Sequence, residues 1–239
     1  MTFTILSASL LWIVTSVGGG DAAFIPLRDL QDDYWAVYPS DISLAGTFVV
    51  GRATRTIDDR SEAILWNNGQ FQGLGDLPTG DFSSQAAAVS LDGRTVVGIG
   101  NVTNDNGDNI GNGFVWFDGL MTSLGELSPN AITPDGNIVV GGRGSGYGDS
   151  VVFHWNRSAG EIIEVSIPNY DYTRAEDVSE DGNFVVVSAQ LPSSSAFRWR
   201  IDENSIEPLG VLLGGTQTNP TAISVDGSVI VGTGGSYSN

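Results

Sequence analysis

The chain contains no cysteine, no lysine and a single histidine. The lack of cysteine excludes a disulfide framework, a thiolate metal cluster and a cysteine nucleophile. The lack of lysine excludes a Schiff-base enzyme and a phosphate-binding loop built around a lysine. A lone histidine excludes any site that needs two of them.

Positive charge is also scarce. Ten basic residues, all of them arginine, stand against 28 acidic residues, which gives a net charge of −18. Electrostatics therefore disfavours nucleic acid and anionic lipid as partners, and we expect neither. Hydrophobic residues make up 41% of the 239 residues, which is enough to build a packed core.

The most informative feature is a block that recurs five times with a period of about 45 residues. The copies cover residues 41–51, 88–98, 131–141, 177–187 and 222–232. Each copy predicts a β-hairpin. Four copies have Asp-Gly between runs of β-branched residues, which favours a tight turn, and the first copy has Ala45-Gly46 instead. A serine or threonine precedes every turn at the same distance, and we expect its hydroxyl to bond the turn backbone.

Two further strands complete each repeat. An aromatic strand occurs at residues 63–66, 113–116, 152–155 and 196–199, and a second strand type occurs at 24–30, 71–77, 121–127, 162–167 and 206–212. Four short strands per repeat with glycine-rich turns are typical of a β-propeller blade. We therefore predict an all-β fold, a β-propeller of five blades with four short antiparallel strands each. The alternatives are a fragment of a longer propeller or open array, and a β-sandwich.

Residues 1–23 allow two interpretations. The apolar run 3–17 is short for a membrane span, and small residues follow it. This pattern predicts a secretory signal peptide cut near Ala22 or Ala23, although no arginine or lysine precedes the run. The alternative is an apolar strand of the folded domain.

The second interpretation closes a ring with both termini. The hairpin at 222–232 would pair with the strand near 24–30, and the segment around Ser9 to Trp12 would supply the missing aromatic strand. Under either interpretation of residues 1–23, we predict that residues 24–239 form a single five-repeat propeller domain. We expect no transmembrane segment in the mature chain.

The combination of an Ala-Phe-Arg-Trp strand, a Leu-Gly-x-Leu strand and an Ala-x-Ser-x-Asp-Gly-x-x-Val-Val-Gly hairpin resembles the HAF-repeat family of extracellular bacterial repeat proteins. The resemblance covers residues 24–239. The His-Ala-Phe start that names the family is replaced here by Ala-Ile, Gly-Phe, Val-Phe or Ala-Phe. The resemblance implies secretion or surface display and a propeller-like fold, and it brings no catalytic residues.

Asp41 and Asp177 break the repeat, because the other three copies have alanine at their position. A carboxylate on a tightly packed strand has a desolvation cost unless it is paired or solvated. If this face lines a central channel, the two carboxylates project into one cavity, where they could bind a cation or a ligand hydroxyl. The alternative is a salt bridge or a solvent-facing position. Strand alternation places the adjacent Glu176 on the opposite face.

Tryptophan recurs once per repeat, at Trp66, Trp116, Trp155 and Trp199. This regularity favours packing between blades, and sugar-stacking platforms are the alternative. Trp35 lies outside the pattern, beside Tyr34 and Tyr38, and is a better candidate for contact with carbohydrate. Its alternative is a packed loop before the first hairpin.

The single histidine carries no enzyme signature. His154 alternates with Phe153 and Trp155, so we expect it to face away from the aromatic core. A Ser-His-Asp triad would have to use this residue, and no G-x-S-x-G elbow occurs in the sequence. We predict no catalytic residues.

Residues 101–113 form a polar insertion. Asn104, Asn106 and Asp108 have the spacing of a calcium loop. Two of these three are neutral amides, and Asn109 stands where glycine is expected. We predict a weak calcium site at most, with a flexible loop as the alternative, and no other cofactor.

These features favour an exported, non-enzymatic repeat protein, secreted or on the cell surface. It would serve binding or display, with a glycan or a cell-surface protein as partner. The alternative is a propeller glycosidase or lectin that acts on extracellular glycans. A purely structural repeat within a larger surface assembly is a third hypothesis.

Overall fold

The computed structural model describes residues 11–15, 23–27, 33–144, 150–190, 193–211 and 213–235. Within these ranges the chain forms β-strands and no helix, and neighbouring strands of each sheet run antiparallel. The prediction of an all-β chain is confirmed.

Four sheets of four strands follow one another along the chain, and within each the strands lie in chain order. Sheet 1 comprises β3 (Tyr34–Ile42), β4 (Phe48–Arg55), β5 (Ser61–Asn67) and β6 (Gln70–Gly75). Sheet 2 comprises β7 (Ser84–Val89), β8 (Thr95–Thr103), β9 (Asn109–Phe117) and β10 (Leu120–Gly125). Sheet 3 comprises β11 (Leu127–Ile132), β12 (Ile138–Arg143), β13 (Val151–Asn156) and β14 (Glu161–Val165). Sheet 4 comprises β15 (Tyr172–Val178), β16 (Phe184–Gln190), β17 (Ser195–Arg200) and β18 (Ser205–Pro208).

Two hairpins flank these sheets. The N-terminal hairpin comprises β1 (Leu11–Thr15) and β2 (Ala23–Leu27), and the C-terminal hairpin comprises β19 (Gln217–Ile223) and β20 (Ile230–Gly235). Each is a separate two-stranded sheet among the described strands, so the predicted pairing between them stays a prediction. The other residues of the segment 1–32 lie outside the described residues.

Neighbouring repeats pack against each other through their first strands. The five first strands lie side by side in the order β3, β7, β11, β15 and β19. The two middle strands of each sheet contact the first strand of the next sheet, as β4 and β5 contact β7. Because apolar side chains fill the space between sheets, the middle strands are buried on both faces, as their continuous apolar sequence predicts.

Two of the repeated tryptophans belong to this packing. Trp116 is buried with Val50 and Leu65 of the preceding sheet, and Trp199 is buried with Val140 of its preceding sheet. The prediction that these side chains pack between repeats is therefore confirmed for Trp116 and Trp199.

The orientation predicted for His154 is wrong. Its side chain is buried, and its ring lies 5.2 Å from that of Trp199 in the next sheet. Strand alternation misled the prediction because β13 is covered on both faces. Burial lowers the pKa of His154, while the charge of Glu161 opposes the shift. Neither ring nitrogen has a hydrogen-bond partner among the described residues.

The five hairpin turns share one hydrogen-bond pattern. The hydroxyl oxygen of Ser43 accepts the backbone N–H of Phe48 at 3.0 Å, and Ser90, Thr133, Ser179 and Ser224 bond their turns in the same way. The prediction for these hydroxyls is confirmed. The turn glycines have φ between 70° and 73°, which residues with a side chain rarely adopt.

Candidate binding cavity

A central cavity of about 870 Å³ lies where the five first strands meet, and residues of β3, β7, β11, β15 and β19 all line it. One end is bordered by turn residues such as Leu44, Leu91 and Pro134. The size is in the range of natural ligand sites.

Each of the five first strands contains a β-bulge, which adds one residue relative to the partner strand. The bulge residues are Ser40, Ala87, Asn130, Glu176 and Thr221, and all of them line the central cavity. Each of the five repeats thus contributes one polar or small side chain to the lining of the central cavity.

The bulge corrects the prediction for Glu176. Strand alternation placed it opposite Asp177, but the register shifts between Ala175 and Asp177, so both acidic residues line the central cavity. A signal for this feature exists in the sequence. Proline directly precedes the bulge residue in three repeats, at Pro39, Pro129 and Pro220, and proline within a sheet is confined to edges and bulges.

Asp41 and Asp177 line the central cavity together, as the sequence predicts. Each also tethers its strand to the next repeat. Asp41 Oδ2 accepts the backbone N–H of Val89 at 3.0 Å, and Asp177 Oδ2 accepts that of Ile223 at 2.9 Å. Val89 and Ile223 occupy the same position in their repeats, so the two aspartates make the same contact.

Burial is the main influence on the charge of both carboxyls. It raises the pKa of Asp41, against the hydrogen bonds from Val89 and Ile42, and the negative charge of Asp177 raises it further. Burial likewise raises the pKa of Asp177, against the hydrogen bonds from Ile223 and Val178. Neither carboxylate forms an ion pair within the described part of the chain.

Replacing Asp177 by alanine should lower the free energy of unfolding, because the N–H groups of Ile223 and Val178 lose their acceptor. The expected cost at pH 5 is about 1–3 kcal/mol. A carboxyl whose folded pKa is raised above its unfolded value of 3.8 stabilises the protein most at low pH. That contribution is lost as the pH rises through the folded pKa, so the cost of the substitution should be smaller at pH 7.5.

Urea unfolding of the wild type and Asp177→Ala at both pH values tests this expectation. Asp226→Ala, in an exposed turn of the C-terminal hairpin, is the control and should cost less because water can replace its hydrogen bonds. A cost of Asp177→Ala that grows between pH 5 and pH 7.5 would contradict the raised pKa.

A polar network on the wall of the cavity joins sheets 3 and 4. Asn130 Nδ2 donates to the carbonyl oxygens of Ala175 and Glu176 at 3.2 and 3.0 Å. The guanidinium of Arg174 donates to Asn130 Oδ1 and lies 3.6 Å from Glu176 Oε2. Because Arg174 remains mostly exposed, it can still bind a ligand. Sequence analysis missed this network, since it depends on the bulges.

A smaller cavity of about 430 Å³ adjoins the central one beside sheet 3 and sheet 4. The two cavities share Ile99, Pro129, Arg174 and Glu176. The smaller one is lined largely by neutral polar groups, including Ser128, Ser150, Thr173, Ser188 and Gln190. A ligand in the central cavity thus has room to extend along the polar network.

Trp35 does not line the central cavity, so the structure does not bring it together with Asp41 and Asp177. Its side chain is 48% exposed, and Nε1 donates to Asp59 Oδ1 at 3.0 Å. Nearby, the guanidinium of Arg52 lies 4.5 Å from the ring centre of Tyr38. Contact of Trp35 with carbohydrate stays a prediction.

Asn104, Asn106 and Asp108 form the tight turn between β8 and β9. Asn104 Oδ1 accepts the backbone N–H groups of Asn106 and Asp108 at 3.0 and 2.9 Å. Both flanking strands extend into the polar insertion, which is therefore a longer hairpin. Calcium binding at this turn stays a prediction.

The sequential four-stranded sheets, packed through their first strands around one cavity, are the architecture of a β-propeller. Solved β-propeller proteins share this fold. A putative TolB from Agrobacterium tumefaciens matches with a TM-score of 0.59 and 17% identity, over 92% of this chain and 81% of that one. TolB from Acinetobacter baumannii matches with a TM-score of 0.53 and 14% identity, over 78% and 47%. A prolyl endopeptidase matches with a TM-score of 0.60 and 10% identity, over 86% and 34%.

At these identities the likeness shows the β-propeller fold and nothing of activity. The chain spans about half the length of the Acinetobacter baumannii TolB and about a third of that of the endopeptidase. The sequence matches no protein-family model and no curated protein. Among the residues that the structure describes, no helix is long and apolar enough to cross a membrane.

Proposed function

We propose that this chain is an exported, non-enzymatic binding module that holds a glycan in its central cavity. One observation carries the proposal. The positions that build the scaffold, such as the turn glycine and the turn hydroxyl, are the same or nearly the same in every repeat, whereas the bulge positions differ in all five. Because these cavity-facing positions are individual to each repeat, the interior is a place where specificity can arise.

The chemistry of the cavity suits a neutral, hydroxyl-rich ligand. Asp41 and Asp177 offer carboxylate oxygens, Asn130 an amide and Arg174 a guanidinium. Sugar hydroxyls donate to carboxylates and accept from amides and guanidinium groups. Sheet 2 contributes the small apolar Ala87, against which the CH face of a sugar can pack.

We propose a ring of five blades closed by both termini. The C-terminal hairpin supplies the first two strands of the fifth blade, and the N-terminal hairpin supplies the last two. The number of strands supports this closure, because the other sheets have four strands each and the two hairpins, with two strands each, would together make one more such sheet. Closure would also give the outer edge of β20 a hydrogen-bonding partner, and an unpaired strand edge promotes aggregation.

The strand pair β1 and β2 favours the closing-strand interpretation of residues 1–23 over a cleaved signal peptide. Export is proposed from the resemblance to extracellular repeat proteins and from the acidic, lysine-free composition. N-terminal sequencing of the mature protein distinguishes the two: cleavage near Ala22 or Ala23 removes β1, and an intact start retains it.

A glycan array probed with the full chain, with and without calcium, tests the proposed function. We expect binding to one glycan class, lost on substitution of both Asp41 and Asp177 by alanine in a protein that still folds. Trp35→Ala tests the predicted contact of Trp35 with carbohydrate separately from the predicted contact in the cavity, because Trp35 does not line the cavity. A blank array from folded protein would overturn the proposal and leave display of a protein partner as the working hypothesis.

A propeller glycosidase is the second candidate. It is favoured by two carboxyls that face one cavity and have raised pKa values, since a glycosidase needs one carboxyl protonated as a general acid. Incubation of an array ligand with the protein separates the candidates. Product release that Asp41→Asn abolishes would support the enzyme, and an intact ligand would support the binding module.

A further inference from the structure

The opening of the central cavity on the side of the hairpin turns has an apolar rim. Each turn places one residue between its serine or threonine and its aspartate or alanine. These rim residues are Leu44, Leu91, Pro134, Glu180 and Val225. Four of the five are apolar, although the position lies in a turn, where polar residues are the rule.

The rim residues of neighbouring repeats are adjacent. The N–H of Leu91 donates to the carbonyl oxygen of Pro134 at 2.8 Å, and Leu44, Leu91, Pro134 and Glu180 all line the cavity. Three rim side chains are well exposed: Leu44 at 62%, Val225 at 55% and Leu91 at 41%. A group of exposed apolar side chains around an opening marks an interaction surface, because water is displaced from it on binding.

Carboxylates surround this apolar rim. The residue after the rim position is an exposed aspartate in four of the five turns, at Asp92, Asp135, Asp181 and Asp226. A hydrogen bond from Ser179 holds the pKa of Asp181 below its ordinary value, and those from Ser228 lower that of Asp226 to about 2. Asp181 and Asp226 are therefore ionised at neutral pH, and the row of turn aspartates gives the rim a negative border.

We infer that the rim is a docking surface for a basic, amphipathic polypeptide segment, whose apolar side chains cover Leu44, Leu91 and Val225 and whose lysines or arginines face the turn aspartates. The charges argue against other occupants. A second copy would bring the same ring of aspartates against this one, and nucleic acid and anionic lipid would be repelled. This surface borders the opening of the cavity, and the inference does not depend on the glycan proposal.

Fluorescence anisotropy with two labelled synthetic peptides tests the inference. Both peptides alternate leucine with a charged residue, lysine in one and glutamate in the other, and the measurement is made at physiological ionic strength. We expect the full chain to bind the lysine peptide and not the glutamate peptide. The double variant Leu44→Ser/Leu91→Ser should weaken binding roughly tenfold, the loss expected when hot-spot residues are removed.

Ile57→Ser is the matched control. Ile57 is 82% exposed and lies in the turn between β4 and β5, at the opposite end of the strands from the rim. Binding unchanged by Ile57→Ser and weakened by the leucine variant supports the rim. Equal losses in both variants, or no binding of the lysine peptide, would overturn it. So would a loss in Asp177→Asn as large as that in the leucine variant, because the peptide would then occupy the cavity interior.

Discussion

Replacing Trp199 by alanine should lower the free energy of unfolding by about 3–5 kcal/mol, the usual cost of truncating a buried tryptophan. Its side chain is completely buried, and Nε1 donates to Asn204 Oδ1 at 3.2 Å. The ring also packs against His154 and Val140 of sheet 3. The substitution therefore opens a cavity at the contact between two sheets as well as within sheet 4.

Urea-induced unfolding, followed by far-UV circular dichroism, measures this loss. Trp35→Ala is the matched control, since that side chain is half exposed and makes its hydrogen bond within sheet 1. The control should lose less than about 1 kcal/mol. Similar losses in both variants would contradict the assignment of Trp199 to the contact between sheets 3 and 4.

Gly98→Ala should destabilise the protein by about 1–3 kcal/mol, as overpacking of a tight core does. A β-carbon at Gly98 would lie 2.1 Å from the carbonyl oxygen of Gln85 and 2.7 Å from Cζ of Phe114. The bulge in β7 brings this carbonyl close to β8, and a backbone oxygen cannot move aside as the end of a flexible side chain can. Glycine is thus required here by a close approach between two strands.

Gly111→Ala in the adjacent strand is the control. The nearest atom to its β-carbon would be Cγ2 of Ile99 at 3.5 Å, an ordinary contact. Both variants remove a glycine from a strand, so their difference in urea unfolding isolates the clash at Gly98. Equal stability of the two variants would contradict the close approach. Sheet 4 has the buried Val187 at the position of Gly98, so that sheet accommodates a side chain there.

The repeat made much of the fold predictable from sequence. Turn glycines that recur every 43 to 47 residues, four of them after an aspartate, located the hairpins. The structure confirms both the all-β fold and the turn hydroxyl bonds, such as that of Ser90 to Thr95. These features depend on residues close together in the chain. Local chemistry determines them, and it is the same in every copy.

Features that depend on contacts between strands were harder to predict. Glu176 was placed on the wrong face because a bulge breaks the alternation of the strand, and only the prolines of other repeats indicate such a bulge. Alternation with Phe153 and Trp155 predicted that His154 faces away from the core. The prediction failed because the other face of this strand is also covered, so His154 is buried as well.

The candidate site was predictable in part. Asp41 and Asp177 could be found because they depart from the repeat, and the structure places both at the central cavity. Their hydrogen bonds to Val89 and Ile223 join different repeats, so no pattern within one repeat could reveal them. The network of Arg174 and Asn130 escaped prediction for the same reason.

Hydrogen exchange at β20 tests most directly whether the five repeats close into one ring around the cavity. The measurement compares the full chain with a variant that lacks residues 1–27, which contain β1 and β2. A closed ring predicts slow exchange of the outer-edge amides of β20 in the full chain and fast exchange in the shortened variant, because the N-terminal hairpin covers that edge. Fast exchange of these amides in both proteins would contradict closure and would leave the C-terminal hairpin as an open end of the array.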